Sequence, residues 1–380
     1  MMEGQMPSLK GRMITDRAVL IGGNGNLGRE MQRELLARSD DVTVLDRGGE
    51  PIDPRVTFKR FALGTDGTGL LTDLLRDQTV VYCMVTPDVQ RGTRDMFEAT
   101  NHQGVKMLVE ACKLAGVERL VYTSSIATTN HFVHSRNADE FTPQPPWSTY
   151  KSAYDLTKRL GEEAVLSANG DGLATCALRP GGIMASLNDY TFRNLLKGNR
   201  VPVVSGFHKI DFIAAPDLCR AHVLAADKLR DAPSGVAGEV FFVTKAKGME
   251  AGKEPTPTDI SCEVARLSGR KTMKVYGNVV KGVSNLARLR YNLARLVVSD
   301  AKMPGVPFHM FARIPFYEQT FDNSKAREVL GFEPTITWQD MAATILEQLA
   351  PKFEAHVTEP EPALRLPTGK AWNSSAQVEL

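Results

Sequence analysis

Two hydrophobic rhythms alternate along residues 17–183. Short apolar runs at 18–21, 42–45, 80–85, 120–122 and 174–178 read as strands. Between them, segments 27–38, 101–115 and 150–167 repeat apolar residues every three or four positions. Leu27, Met31 and Leu35 show this spacing, as do Val105, Leu108, Val109 and Cys112, so these segments read as helices. Strands alternating with helices predict a parallel sheet covered on both faces. Gly116 falls between a helix and a strand, where a helix C-cap belongs. Beyond Pro180 the rhythm loosens. A helix is expected over 217–229, a strand over 238–244 (GEVFFVT) and another helix over 258–268. The Gly-, Lys-, Glu- and Pro-rich stretch 245–257 reads as a loop.

The first strand runs into a loop with glycines at 22, 25 and 28, which opens the first helix. Gly22 permits a tight turn, Gly25 lets backbone approach a pyrophosphate, and Gly28 lets the helix pack closely. The helix N-terminus then faces the anion. Asp46 ends the second strand, eighteen residues after Gly28, where a carboxylate binds a ribose 2′-hydroxyl and repels a 2′-phosphate. NAD is therefore favoured over NADP, with Arg47 as the dissenting residue. The expected fold class is α/β, a Rossmann-type doubly wound parallel sheet with a smaller, discontinuous C-terminal substrate region. The expected partition is an N-terminal lead over 1–16 and a cofactor-binding core over 17–183, rejoined by about 210–246. A substrate region would cover 184–209 and 247–352, and a polar, Pro-rich disordered tail 353–380.

Composition narrows the function. Of 380 residues, 42% are apolar and 24% charged, which excludes a disordered or fibrous chain. Lys plus Arg number 46 against 44 Asp plus Glu, too balanced for a nucleic-acid binder. Five scattered cysteines form neither a disulfide framework nor a zinc motif and suit a reducing compartment. The first residues lack a secretory signal's apolar core, and no apolar run is long enough to span a bilayer. The expected location is the cytoplasm, or the cytosolic face of a membrane such as the endoplasmic reticulum.

Tyr154 and Lys158 stand four residues apart on one helix face. A free phenol titrates near pH ~10, and a nearby cation brings it toward neutrality for work as a base. Thr123, Ser124 and Ser125 end a strand, where side chains gather above the ligand crevice. A serine there can hold a substrate oxygen while Tyr154 takes its proton and a nicotinamide takes hydride from the same carbon.

The glycine loop, TSS, YxxxK and Leu178-Arg179-Pro180, in this order, resemble the extended short-chain dehydrogenase/reductases. The resemblance covers about 17–350 and is strongest to the 3β-hydroxysteroid dehydrogenase branch, in particular its sterol-4α-carboxylate (decarboxylating) enzymes. It rests on 83–87 (CMVTP), 101–104 (NHQG), 110–125 (EACKLAGVERLVYTSS), 211–213 (DFI) leading to Ala221 and His222, and 321–334 (FDNSKAREVLGFEP). It implies Tyr154 as base, Lys158 as its partner and ribose ligand, and Ser125 as substrate orienter, with Ser124 as the fallback. Cofactor contacts extend from Gly22, Gly25, Gly28 and Asp46 to Asn26, Leu27, Thr86, Tyr154, Lys158, Pro180 and Ile183. The implied reaction is NAD-dependent oxidation of a 3β-hydroxyl on a sterol or triterpenoid-like polycycle. The 3-keto product of a 4α-carboxysterol is a β-keto acid, which loses carbon dioxide without a metal. The chain departs from the pattern at 61–65 (FALGT), at Met84-Val85 and at 184–188 (MASLN), the last bordering the substrate pocket. Helices within 101–167 correspond to the homodimer interface common in this superfamily.

Other readings compete. A reductase or epimerase could act on another ketone, alcohol or sugar nucleotide; for a sugar nucleotide, Arg193, Lys197, Arg200 and Lys209 could hold the diphosphate. A non-catalytic dinucleotide sensor would keep the glycine loop, but such proteins often lose the Tyr/Lys pair. His131 and His134, near Asp139 and Glu140, have a metal-like spacing; the plainer reading is a polar loop lining the substrate entrance, and no metal is expected. Finally, 279–298 carries a stripe of Val279, Val283, Leu286, Leu289, Leu293 and Leu296 opposite Lys281, Asn285, Arg288, Asn292 and Arg295. The favoured reading is an amphipathic helix covering the substrate pocket. The sharper one is a monotopic helix on a membrane surface.

Overall fold

Seven short strands, all parallel, form the central sheet: β1 (Arg17–Ile21), β2 (Asp41–Asp46), β3 (Thr57–Arg60), β4 (Val80–Cys83), β5 (Arg119–Thr123), β6 (Ala174–Pro180) and β7 (Glu239–Val243). The computed structural model describes residues 15–348, apart from 130, 232 and 234. Nearly all of the expected lead and the whole expected tail lie outside the described residues. The strand order is β7-β6-β5-β4-β1-β2-β3. The chain winds outward from β1 to β3, then crosses back to β4. The carboxyl ends of β1 and β4 therefore flank a switch point, where open α/β sheets bind their ligands.

Each strand alternates its side chains between two cores. Ala18 and Leu20 of β1 point to one face, against Met31 and Leu35 of α1 (Asn26–Ala37). Val19 and Ile21 point to the other, with Leu71 and Leu75 of α2 (Thr68–Leu75) and Val105 and Leu108 of α3 (Gly104–Ala115). Each such fully buried aliphatic side chain stabilises the fold by roughly 1.5–3 kcal/mol. Helices α4 (Ala153–Ser167) and α5 (Ala215–Asp231) complete the two layers. Gly116 ends α3 in the left-handed conformation, φ 73°.

The helix expected over 101–115 begins earlier and in a different form. A turn at Arg94–Phe97 continues through a π-type stretch, Glu98–Gln103, into α3. The wider turns bring Asn101 inward, where its Nδ2 donates to Thr157 Oγ1 at 3.3 Å. Periodicity misses this because π turns break the 3.6-residue repeat.

Beyond β6 a third core forms around Phe192, Ile260, Val264 and Ile345. It gathers two small parallel pairs, 182–184 with 212–214 and 200–204 with 271–275. Helices α6 (Pro257–Leu267), α7 (Gly277–Ala294) and α8 (Trp338–Glu347) belong to the same half. Helix α7 overturns one expectation. Its apolar stripe does not cover a pocket but faces outward, with Leu286 62% exposed and Leu293 57%. The side turned inward carries small residues, and Ser284 is buried there. Among the described residues, no helix is long and apolar enough to cross a membrane.

Candidate active site

The switch point is a cavity of about 600 Å³, lined by Gly22, Gly25, Asp46, Phe61, Met84 and Thr86, among others. Gly22 takes φ +83°, and a Cβ there would lie 2.9 Å from the Val85 backbone. At Gly28 a Cβ would lie 2.5 Å from the carbonyl oxygens of Gly22 and Gly23. The loop can therefore fold under the start of α1 only without side chains. Helix α1 has no side-chain cap and no acidic residue in its first turn, so its amides and dipole are open to an anion.

Two further residues hold this loop. The Asn24 backbone N–H donates to Asp46 Oδ2 at 3.0 Å, and its Nδ2 donates to the Gly48 carbonyl at 2.9 Å. Buried Gln32 donates to the Gly23 carbonyl at 2.6 Å and accepts from the Ile52 N–H at 3.0 Å. Neither Asn24 nor Gln32 announced itself in the sequence, since polar residues on loops and helices are ordinary. An anion cradle built of backbone amides, a carboxylate at the end of β2 and a cavity of this size together fit NAD. Arg47 is exposed on the rim of the same cavity.

The expected cofactor residues do not all meet there. Gly22, Gly25, Asp46 and Thr86 line the cavity. Asn26 instead donates from Nδ2 to Asp189 Oδ1 at 2.9 Å. Leu27 packs against the first core, as does Ile183, and Pro180 is buried at the end of β6. The sequence departures at Phe61–Leu63 and Met84–Val85 lie in the cavity wall beside Asp46.

A second constellation lies beyond Phe97, whose ring meets Tyr154 edge-on at 5.7 Å. Helix α4 starts at a Ser152 cap and presents Tyr154 and Lys158 on one face. Ser125, at the end of β5, interacts with the Tyr154 phenol. Lys158 is buried and donates from Nζ to the Thr123 carbonyl at 2.8 Å. Burial lowers its pKa to about 8. Burial also raises Tyr154 to about 12, against a smaller lowering by Ser125. This corrects the expectation that Lys158 depresses the phenol: desolvation dominates, and the ammonium is aimed at Thr123 rather than at the phenol.

The strand end is gripped from three sides. The neutral His222 ring donates from Nδ1 to the Leu218 carbonyl at 2.8 Å, which leaves Nε2 to accept from the Thr123 hydroxyl at 2.7 Å. Burial lowers His222 to about 4, so it stays neutral. The Ser124 hydroxyl donates to Glu162 at 2.6 Å, and Glu162 also takes two hydrogen bonds from Arg179 at 2.9 and 2.5 Å. Ser124 is therefore turned away from any substrate, and the fallback role for it is withdrawn. The Glu162–Arg179 pair was not legible, because its members are seventeen residues apart on different elements.

Two weaker expectations also change. His131 bonds to Asp155 at 3.1 Å, Asp139 accepts from the Thr142 hydroxyl at 2.7 Å and Glu140 accepts from the Phe242 N–H at 2.6 Å. The HxxH spacing therefore does not assemble with those carboxylates. His134 comes near His208 and Glu318 instead, but its Nδ1 accepts from the Glu318 N–H, and Glu318 is paired with Arg136 at 3.0 Å. Of the four cations offered for a sugar nucleotide, Arg193 is tied to Asp88 and Gln90, and Lys209 to Gly252 and Glu254. Lys197 and Arg200 are exposed.

Fold and site together define an NAD-dependent oxidoreductase built on a doubly wound sheet. Solved structures with the same fold include UDP-glucuronic acid 4-epimerase from Bacillus cereus, in complex with UDP-glucuronic acid and NAD. Its TM-score is 0.64 at 20% identity, over 87% of this chain and 99% of that one. A dTDP-glucose 4,6-dehydratase from Streptomyces venezuelae gives 0.65 at 21%, over 89% and 98%. At such identities the likeness is one of fold. The chain belongs to the 3-beta hydroxysteroid dehydrogenase/isomerase family, whose model matches residues 19–252. A 3-beta-hydroxysteroid dehydrogenase of Mycolicibacterium neoaurum is 27% identical over 90% of this chain and 94% of its own length. The decarboxylating sterol-4-alpha-carboxylate 3-dehydrogenase of Saccharomyces cerevisiae is 28% identical over 86% and 98%. Its human namesake is 32% identical over 60% of this chain and 62% of its own length, so the likeness there spans under two thirds of the relative.

Proposed function

We propose that this enzyme oxidises the 3β-hydroxyl of a sterol or triterpenoid-like polycycle, and that a 4α-carboxysterol is its substrate. The observation that carries the chemistry is the meeting of α4 with the end of β5, where Lys158 Nζ donates to the Thr123 carbonyl at 2.8 Å and the nearby Ser125 hydroxyl acts on the Tyr154 phenol. The names of the relatives support the substrate class. Held along Gly22, Gly25, Asp46 and Thr86, NAD would supply the hydride acceptor and a positive charge that favours the Tyr154 phenolate. Ser125 holds the substrate oxygen, and Tyr154, once ionised to the phenolate, accepts the hydroxyl proton while C3 gives up hydride to the cofactor. Lys158 holds the Thr123 carbonyl and would hold the cofactor's ribose. The resulting 3-ketone is β to the C4 carboxylate. Breaking the C4–carboxylate bond releases carbon dioxide and leaves the electron pair in an enolate, which a proton then quenches.

A purified-protein assay tests this: NAD and a 3β-hydroxy-4α-carboxysterol, read by NADH absorbance and by mass spectrometry of the sterol. One NADH per sterol that has lost the mass of carbon dioxide supports the reading. NADH formed with the carboxylate retained keeps the dehydrogenase and removes the decarboxylation. Absence of turnover with NAD bound removes the sterol acid, and Met184 to Asn188 becomes the first place to look for another alcohol or ketone. Two copies pairing through α3 and α4 would make the homodimer, which light scattering measures.

A further inference from the structure

Loss of carbon dioxide leaves an enolate whose C4 must take up a proton. Tyr154 is badly placed to give it. In the proposed reaction its phenol shares the 3-oxygen with Ser125, so a proton it returns goes to oxygen rather than carbon. Lys158 is aimed at the Thr123 carbonyl. Two further groups lie close enough to raise the Tyr154 pKa, Asp155 and Tyr190. Asp155 is buried and bonded to His131 at 3.1 Å. Tyr190 is left.

Tyr190 opens the short helix Tyr190–Leu195, which is pinned across the crevice from both sides. Asp189 accepts from the Ala185 and Ser186 N–H groups at 2.6 and 2.8 Å. It also accepts from Asn26 Nδ2 at 2.9 Å, which ties the segment to the start of α1 beside the glycine loop. On the other side Arg193 donates to Asp88 at 3.2 Å and to Gln90 at 2.7 Å, in the loop after β4. These two anchors follow β1 and β4, the strands that flank the switch point. Tyr190 is therefore carried over its mouth.

The two tyrosines are backed in the same way. Tyr190 meets the Phe311 ring edge-on at 5.2 Å, as Tyr154 meets Phe97 at 5.7 Å. One strap joins both pairs. Gly305 packs so closely on the Phe97 ring that a Cβ would not fit, and its carbonyl accepts from the Ala153 N–H at 2.9 Å. The strap then runs into the helix Phe308–Phe311. Tyr190 is 41% exposed, yet desolvation by the surrounding protein raises its pKa, and the Asp189 carboxylate adds to this. A side chain both surrounded and accessible lines an open crevice. Tyr190 thus keeps its proton at neutral pH, and the negative charge of the Tyr154 phenolate holds that proton more firmly. One phenol serves as base while the other stays an acid.

We propose that Tyr190 is the catalytic acid that delivers a proton to C4 of the enolate once carbon dioxide has left. This assignment rests on the sterol-acid reading of the site. The C4–carboxylate bond breaks, and its electron pair passes into the enolate. That pair then forms the C4–H bond with the phenolic proton of Tyr190. The Tyr190 phenolate regains a proton from water, and no redox change accompanies the step.

The test runs the wild type and Tyr190→Phe in deuterium oxide with NAD. The substrate is a 3β-hydroxy-4α-carboxysterol without a 4-methyl group, so that C4 ends with two hydrogens. The ketone is quenched early and its label read by NMR. The substitution keeps the ring against Phe311, and Tm and NAD affinity should be unchanged. The wild type should place deuterium on one face of C4. The variant should form NADH within about twofold of the wild-type rate and place deuterium on both faces, because solvent quenches its enolate. The same one-sided label in both proteins overturns Tyr190 as the donor, as does label on both faces in the wild type. Loss of NADH formation in the variant also overturns it, since Tyr190 would then serve the oxidation. A wild type that forms no NADH, or whose product keeps its carboxylate, overturns the sterol-acid reading and the proposal with it.

Discussion

Helices α4 and α7 invert the usual inside-out arrangement in opposite directions. Helix α4 buries Asp155, Thr157, Lys158 and Glu162. Helix α7 buries almost nothing and exposes its leucines. Between them, α1 behaves ordinarily and buries Met31 and Leu35. Buried charge costs stability and exposed leucine forgoes it, so neither helix is arranged for the stability of the fold alone. The polar burial of α4 positions chemistry. The apolar exposure of α7 leaves its leucines turned away from the rest of the fold.

Substituting Tyr154→Phe tests the first helix most sharply. Loss of the phenol should cut kcat by about 10²–10⁴-fold, with NAD affinity unchanged by fluorescence titration. A dinucleotide sensor would lose nothing. The next effect is on stability. Glu162→Gln removes the charge that partners buried Arg179 and turns one of the two acceptor oxygens shared by Arg179 and Ser124 into a donor, and should lower the unfolding free energy by roughly 3–5 kcal/mol in a urea titration. A near-neutral result would mean that the pair is solvated and that α4 is an ordinary surface helix.

Lys158 makes a pH-dependent prediction. Its pKa is about 8 in the fold and near the ordinary 10.5 when unfolded. Between those values the unfolded chain holds more protons, so stability rises with pH across that window. The full rise is worth up to roughly 3 kcal/mol. A Lys158→Met variant should lack this rise, measured as Tm against pH. Equal slopes in both proteins would mean that Lys158 is hydrated. Asp46→Ser follows in size: loss of one charged hydrogen-bond acceptor should weaken NAD by about 10–100-fold and narrow its preference over NADP.

The sheet and the glycine loop were legible because strand runs, glycine spacing and Asp46 are local signals. That Tyr154 and Lys158 share one helix face was legible for the same reason, a spacing of four, but that the ammonium meets the Thr123 carbonyl was not. Glu162, Arg179, His222 and Gln32 were not. Each finds its partner across elements that only the folded chain brings together. The strand Lys271–Val275 was missed because four of its five residues are exposed and carry no burial pattern. For α7 the sequence told the two faces apart but not which one turns inward. A periodic stripe has the same spacing whether it meets the protein or its surroundings.

The smallest expected effect is therefore the most telling about α7. Leu289 is more than half exposed, so Leu289→Ser should change the unfolding free energy by less than about 0.5 kcal/mol. Leu35→Ser, on the ordinary helix α1, removes a fully buried side chain and leaves a hydroxyl in its place. That change should cost several times more, on the order of 3 kcal/mol or above. Measured side by side in urea, the two leucines would show similar losses if the face of α7 were covered within the folded chain. A large loss at Leu35 with none at Leu289 means that the α7 leucines contribute little to the stability of the isolated protein, as expected of side chains turned away from the rest of the fold.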